Sequence, residues 1–153
     1  MPRRLPILLS LLLLAACAAA EPPAPVEQTR EVRAPAETVA DRLRTALPGL
    51  GLGGTTPAEG GGIAASSGSS PAAWMDCPIA MIGSDGRRDI AVPEARSATV
   101  RIGLVPEGEG TRITVEPSFT GHYRNRFINV AFTRACSSTG ELERRLLDAA
   151  AAT

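Results

Sequence analysis

The strongest constraint on the fold is a pair of alternating segments in the second half of the chain. Apolar side chains occupy every second position over residues 98–104 and again over residues 113–119, where Pro117 is the one exception. Alternate side chains of a strand point to opposite faces, so each segment predicts a strand with one apolar face. Residues 106–110 lie between them and have the composition of a turn. We therefore expect an antiparallel hairpin with one buried and one solvated face.

Two other segments have the period of an amphipathic helix. Residues 36–47 carry an apolar stripe between Pro35, which suits a first turn, and Pro48-Gly49, which ends a helix. Residues 142–150 carry a second stripe and follow Ser138-Thr139-Gly140-Glu141, which has the pattern of a capping box. In that motif the first and fourth residues would each bond the other's backbone N–H. We expect these two helices to share one face of the sheet.

Shorter runs complete the predicted sheet. Residues 29–34, 62–68 and 74–82 predict strands before the hairpin, and residues 128–133 predict one after it, whereas residues 83–97 predict a polar loop. The side chains expected on the apolar faces of the outer strands are Met75, Cys77, Ile79, Met81, Ile128, Val130 and Phe132. The expected fold is therefore α+β in two layers, with an antiparallel sheet of five or six strands and two helices on one face. It forms one domain over residues 29–153.

Composition argues against several classes of function. Acidic and basic residues number 16 each, and aromatic residues make up 3% of the chain, whereas nucleic-acid binding favours a basic excess or stacking aromatics. His122 is the only histidine, so a zinc site is not expected. Gly49-x-Gly51-x-x-Gly54 matches the dinucleotide fingerprint, but it follows a predicted helix instead of a strand. We expect no enzymatic activity, no cofactor, no metal and no nucleic-acid partner.

The first seventeen residues have the layout of an export signal. Arg3 and Arg4 precede an apolar run that ends at Leu14 and is shorter than the roughly 20 residues that a spanning helix needs. The run leads into Leu14-Ala15-Ala16-Cys17, which resembles the lipobox of bacterial lipoproteins. The resemblance implies a signal peptide over residues 1–16 and acyl chains, palmitate among them, on Cys17. Two or more such chains give stable attachment to a membrane.

The position after the cysteine and the residues beyond it bear on location. Ala18 stands where an aspartate would mark retention at the inner membrane, so the lipoprotein resemblance implies the outer membrane and a domain facing the periplasm. Residues 17–28 contain three prolines and predict an extended tether. We therefore expect a folded domain held near a membrane by its N-terminal lipid.

The order of the predicted elements is similar to the helix-grip arrangement. It is also similar to the small domains of the accessory lipoprotein C of the outer-membrane β-barrel assembly machine. The likeness rests on the helix at residues 36–47 with the glycine-rich turn after it, and on the hairpin strand at residues 111–115. It implies a sheet-and-helix fold and brings no catalytic motif with it.

The cysteines predict a covalent link within the domain. The chain has three cysteines, and acylation of Cys17 leaves Cys77 and Cys136. A disulfide between these two is the expected state in an oxidising compartment. A redox-active pair is the alternative, although neither cysteine stands in a Cys-x-x-Cys motif.

These features predict a lipid-anchored, non-enzymatic envelope protein whose domain binds another envelope protein. The alternative is a carrier of a small apolar ligand or lipid, with a helix-grip pocket lined by Leu142 and Leu146. Residues 121–126 predict a polar turn between strands. Within that turn, Tyr123, Arg124 and Arg126 are the candidate contacts to a partner or to anionic headgroups.

Overall fold

The computed structural model describes residues 25–84, 87–126 and 128–152. The predicted signal peptide, Cys17 and the tether as far as residue 24 lie outside these residues. No helix within the described ranges is long and apolar enough to cross a bilayer. The elements in chain order are β1 (Thr29–Val32), α1 (Ala36–Gly49), β2 (Gly53–Pro57), β3 (Ile63–Ser67), β4 (Met75–Asp76), β5 (Ala80–Ser84), β6 (Arg87–Ala91), β7 (Ala95–Glu107), β8 (Gly110–Asn125), β9 (Val130–Ser138) and α2 (Glu141–Ala151).

The main sheet is antiparallel and has the strand order β2-β3-β7-β8-β9-β4, with β1 beside β8 as a seventh strand. It therefore has one strand more than the largest number expected. The long hairpin β7–β8 forms its centre and turns where Glu107 pairs with Gly110, as the alternation predicted. Strands β5 and β6 form a separate two-stranded sheet.

Both helices pack against the same face of the main sheet. Leu43 and Leu47 of α1 and Leu142 and Leu146 of α2 are fully buried, and they share one core with strand residues such as Ile113. Each such side chain contributes about 1.5–3 kcal/mol when it leaves water. The central strands contribute to this core Ala98, Val100, Ile102, Leu104, Ile113, Val115 and Phe119. The predicted two-layer α+β fold is confirmed.

The prediction of one strand over residues 74–82 is wrong. β4 ends at Asp76, and the chain resumes as β5 at Ala80 in the smaller sheet. Pro78 lies in the break, where it cannot donate a hydrogen bond to a sheet ladder. As a consequence Met75 is buried, whereas Ile79 and Met81 are exposed instead of facing the core.

The other outer strands also differ from expectation. β2 lies in the glycine-rich stretch after α1, for which no strand is predicted, and β6 lies in the predicted loop over residues 83–97. β3 confirms the strand expected over residues 62–68. Cys136 is the residue of β9 that packs against the main core. Ile128, which precedes β9, and Val130, its first residue, are exposed. Phe132 is partly buried by a separate contact described below.

The capping box predicted at the start of α2 is wrong. Gly140 is the residue before the helix and has a φ of 84°, so the helix begins later than the motif requires. The Ser138 hydroxyl accepts a 2.9 Å hydrogen bond from the Gly140 N–H and donates one of 2.6 Å to Oε1 of Glu143. Glu141 bonds Arg144 and Arg145 on its own helix. Ser138 is therefore paired with Glu143, two residues after Glu141, the glutamate of the predicted capping box.

Candidate functional site

The predicted disulfide is present. The Sγ atoms of Cys77 and Cys136 lie 2.05 Å apart, and the bond joins the link between β4 and β5 to strand β9. Because the two residues are 59 positions apart, the bond removes chain entropy from the unfolded state equivalent to about 4 kcal/mol at most. The start of the β5–β6 hairpin is therefore tied covalently to the main sheet.

Tyr123 holds the same hairpin through noncovalent contacts. Its side chain is 2% exposed, and its ring stacks on Phe132 with centroids 5.2 Å apart. Its hydroxyl donates a 2.6 Å hydrogen bond to the carbonyl oxygen of Pro78. The prediction that Tyr123 contacts a partner or a headgroup is wrong, because the residue belongs to β8 and is buried beneath the hairpin.

The β5–β6 hairpin has two unlike faces. Ala80 pairs with Ala91, and both pack against Tyr123. The next pair, Met81 and Ile90, points the opposite way because side chains alternate along a strand. Together with two residues just outside the strands, this pair forms the hairpin apolar face, which consists of Ile79, Met81, Ile90 and Val92.

The hairpin apolar face is open to solvent. Its four side chains are between 61% and 65% exposed. Single exposed apolar residues are common on protein surfaces, but adjacent ones on a rigid element mark contact surfaces. This face is therefore the best candidate for a binding site among the described residues.

The sequence contained a signal for this hairpin. Asp85-Gly86 is a dipeptide that favours two-residue hairpin turns, and it stands between the pairs Ile79/Met81 and Ile90/Val92. The sequence pattern predicts the first pair on a core strand and the second pair in a loop. Neither prediction places the two pairs on one surface.

Arg124 lies in β8, whereas Arg126 lies in the turn that follows the strand, as predicted. Arg124 Nε is 3.8 Å from Glu94 Oε2, and Arg126 Nη2 is 3.9 Å from Glu94 Oε1. Arg124 also donates a 2.7 Å hydrogen bond to the Asn129 side chain. Both arginines are exposed, and Glu94 balances part of their charge. Their contact with a partner stays a prediction.

His122 lies in β8 on the solvated face of the sheet. Its Nε2 is 2.8 Å from Ser97 Oγ. A histidine that activates a serine needs a third group to orient its ring. Within the described ranges the structure gives the His122 side chain no hydrogen bond to a carboxylate, and no group of three or more His, Cys, Asp or Glu side chains could hold a metal.

The pocket expected for a carrier would lie between sheet and helices. Leu142 and Leu146, which would line it, are fully buried in the core. Cavities of about 500 and 560 Å³ lie instead against the solvated face of the sheet, over β7 and β8.

Comparison with known proteins does not assign the chain to a family. No family model matches it, and neither a curated protein nor a solved structure does. The resemblances to lipoproteins and to helix-grip domains therefore stay predictions.

Proposed function

We propose that this chain is a lipid-anchored, non-enzymatic protein of the cell envelope. Its domain faces the periplasm and binds another envelope protein through the hairpin apolar face. The observation that carries the proposal is the exposure of four adjacent apolar side chains on a hairpin that a disulfide and Tyr123 hold in place. The lipid anchor rests on Leu14-Ala15-Ala16-Cys17.

A fixed hairpin suits protein recognition. A surface that is already ordered loses little conformational entropy when a partner covers it, so more of the contact energy remains as affinity. Cys77 lies three residues before β5, and the hydroxyl of Tyr123 bonds the next residue, Pro78. The base of the hairpin therefore stays in place whether or not a partner is bound.

The charges near the hairpin favour a protein partner over an anionic bilayer. Bilayers with acidic headgroups attract segments with an excess of basic residues. Between Ile82 and Ile90 the sequence has two acidic and two basic residues, so this stretch carries no excess of basic residues. Glu94 likewise pairs with Arg124 and Arg126. An apolar patch without a basic surround fits an apolar surface on a protein.

The length of the tether limits where the partner is found. Eight residues lead from Cys17 to Pro25, the first residue that the structure describes. Fully extended, they reach at most about 28 Å. An acylated Cys17 would keep the start of the domain within this distance of the bilayer, where the domain can meet membrane-bound and periplasmic proteins.

Site-specific photo-cross-linking in intact cells tests the proposal. A cross-linking amino acid replaces Met81 in one strain and Val105 in a control strain. Val105 is also exposed, at 55%, but it lies on β7 and outside the hairpin apolar face. We expect one discrete protein adduct from position 81 and none from position 105.

A second substitution shows whether the adduct reports the face itself. Ile90→Asp places a charge beside Met81, its partner in the hairpin register, and should abolish the adduct while the fold is kept. Equal adducts from positions 81 and 105, or lipid adducts alone, would overturn the proposal. Co-purified lipid or apolar ligand in a stoichiometric amount would instead support the carrier.

A further inference from the structure

The solvated face of the main sheet contains a groove on the side opposite the helices. Two cavities of about 500 and 560 Å³ adjoin there and share Ala64, Arg101 and Glu116 in their lining. These three residues are register partners across β3, β7 and β8. Ser66, Thr99 and Ser118 form the neighbouring row across the same strands. We call this surface the outer groove.

Small residues create the outer groove. Gly103 lines it from β7, and Ala64 lines it from β3. Pro57 and Ala58 form a wall, because the chain between β2 and β3 turns back against β7. A Cβ atom on Gly62 would overlap the carbonyl oxygen of Ile102, so glycine allows this close approach.

Two charged side chains in the outer groove, Arg101 and Glu116, have no polar partner among the residues that the structure describes. Arg101 and Glu116 lie directly opposite each other, yet neither makes an ion pair or a hydrogen bond with any residue that the structure describes. Their neighbour on the same face, Arg112, lies 2.6 Å from Glu107. Arg101 and Glu116 are therefore both free to bind a ligand.

We propose that the outer groove binds a small zwitterion of the amino-acid or short-peptide class. The guanidinium of Arg101 binds the ligand's carboxylate, since its fork of N–H donors matches two carboxylate oxygens. The carboxylate of Glu116 accepts hydrogen bonds from the ligand's ammonium group. The hydroxyls of Ser66, Thr99 and Ser118 both donate and accept, so they pair with amide N–H and C=O groups.

The pairing of opposite charges selects this class of ligand. Glu116 repels a simple anion that approaches Arg101, and Arg101 repels a simple cation that approaches Glu116. A ligand with both charges meets an opposite charge at each end. The outer groove is separate from the hairpin apolar face, so this inference does not depend on the proposed partner.

Nuclear magnetic resonance titration of the full chain in detergent tests the inference. The probe is the dipeptide alanyl-alanine, which carries both charges. Its N-acetyl form lacks the ammonium group, and its C-terminal amide lacks the carboxylate. We expect saturable shifts of the Ala64 and Gly103 amides with the dipeptide. Each blocked form should bind about tenfold more weakly, since a charged hydrogen bond contributes at least the 1.4 kcal/mol that corresponds to that factor.

Matched variants assign the binding to the two charges. Arg101→Gln and Glu116→Gln should each weaken dipeptide binding about tenfold. Arg112→Gln is the control, because that arginine is on the same face but pairs with Glu107. Gly103→Val keeps both charges and fills the groove, since a Cβ there meets only Thr114 at 3.8–3.9 Å. It should abolish binding.

Two results would overturn the inference. One is a titration in which the Ala64 and Gly103 amides do not move. The other is equal binding of the dipeptide and its two blocked forms, which would mean that the charges are not recognised. Spectra of the variants away from the groove confirm that each one is folded.

Discussion

Gly121 leaves the space in which the side chains of Tyr123, Phe132 and Cys136 pack close together. A Cβ atom at this position would lie 2.9 Å from the ring of Tyr123 and 3.2 Å from Sγ of Cys136. Tyr123 can therefore lie flat over its own strand while it stacks on Phe132 and bonds Pro78. The hairpin is held where it is because one residue of β8 has no side chain.

Gly121→Ala is expected to lower the free energy of unfolding by about 1–3 kcal/mol, the usual cost of overpacking. Denaturant unfolding measures the change. Gly103→Ala is the matched control, because its Cβ would find only ordinary contact with Thr114 at 3.8 Å. Equal free energies of unfolding for the two variants would mean that the close packing of Tyr123 over Gly121 does not contribute to stability.

At the scale of elements, the β5–β6 hairpin depends on its link to β9. Removal of the disulfide by Cys77→Ser with Cys136→Ser should lower the free energy of unfolding by up to about 4 kcal/mol. It should also speed amide hydrogen exchange in β5 and β6 more than in β7 and β8, which are joined by a continuous ladder. Hydrogen exchange followed by mass spectrometry resolves the two regions. Uniform acceleration across all four strands would contradict the assigned role of the link.

The elements that the sequence predicts well are those whose signal is local and repeated. In β7 and β8 each buried residue is followed by an exposed or half-buried one. The turn between the strands is also short, so the pattern alone identifies the hairpin. The helices are predicted for the same reason, because their buried residues repeat at helical spacing, as Val39, Leu43 and Leu47 do in α1. The Cys77–Cys136 pair was predictable because the expected acylation of Cys17 leaves only these two cysteines in the chain.

The elements that the sequence does not predict depend on long-range contacts. β2 is a fully exposed edge strand of glycine, threonine and proline, so it has no apolar pattern. Met81 and Ile90 are apolar, but Ala80 and Ala91 face inward because Tyr123 leaves little space beneath them. Tyr123 lies in a stretch that the sequence predicts to be a turn. Its place in a strand depends on the pairing of β8 with β9, in which Tyr123 lies opposite Phe132. In each case a distant partner decides which face is buried.

At the scale of the whole molecule, Arg30 links the N-terminal segment to the last helix. It forms 2.8 Å ion pairs with Glu27, before β1, and with Asp148 on α2. Val26 lies against Gly140, close to the start of α2. The hydrogen bonds from Arg30 hold the pKa values of Glu27 and Asp148 below their ordinary range. The domain end of the tether is thus fastened to α2 as well as to β8.

The lowered pKa values give this contact a pH dependence. It is complete above the ordinary pKa range of the two carboxyls and is lost as the pH falls through their lower folded values, below about pH 4. Amide exchange over residues 26–30 should then accelerate before the core strands respond. Asp148→Asn should give part of this effect at neutral pH, whereas Asp41→Asn, in an exposed pair with Arg44, should not. No acceleration on acidification would argue against the contact.

The proposed lipid anchor places the membrane attachment of the molecule at Cys17. Cys17→Ser should abolish incorporation of labelled palmitate and leave the leader uncut by the lipoprotein peptidase. Fatty-acid labelling and the apparent mass on a gel measure the two effects. Cys136→Ser is the control, since it also removes a cysteine but should keep the label. A Cys17→Ser chain that still takes up palmitate would contradict the lipoprotein assignment.

The position of Cys77 just ahead of β5 also sets an order of events. A disulfide forms only where thiols are oxidised. A newly made chain in a reducing compartment therefore has a hairpin that is not yet fastened to β9 by a covalent bond. If the chain is exported as proposed, the hairpin apolar face gains this covalent link only after export, when cytoplasmic proteins can no longer bind it.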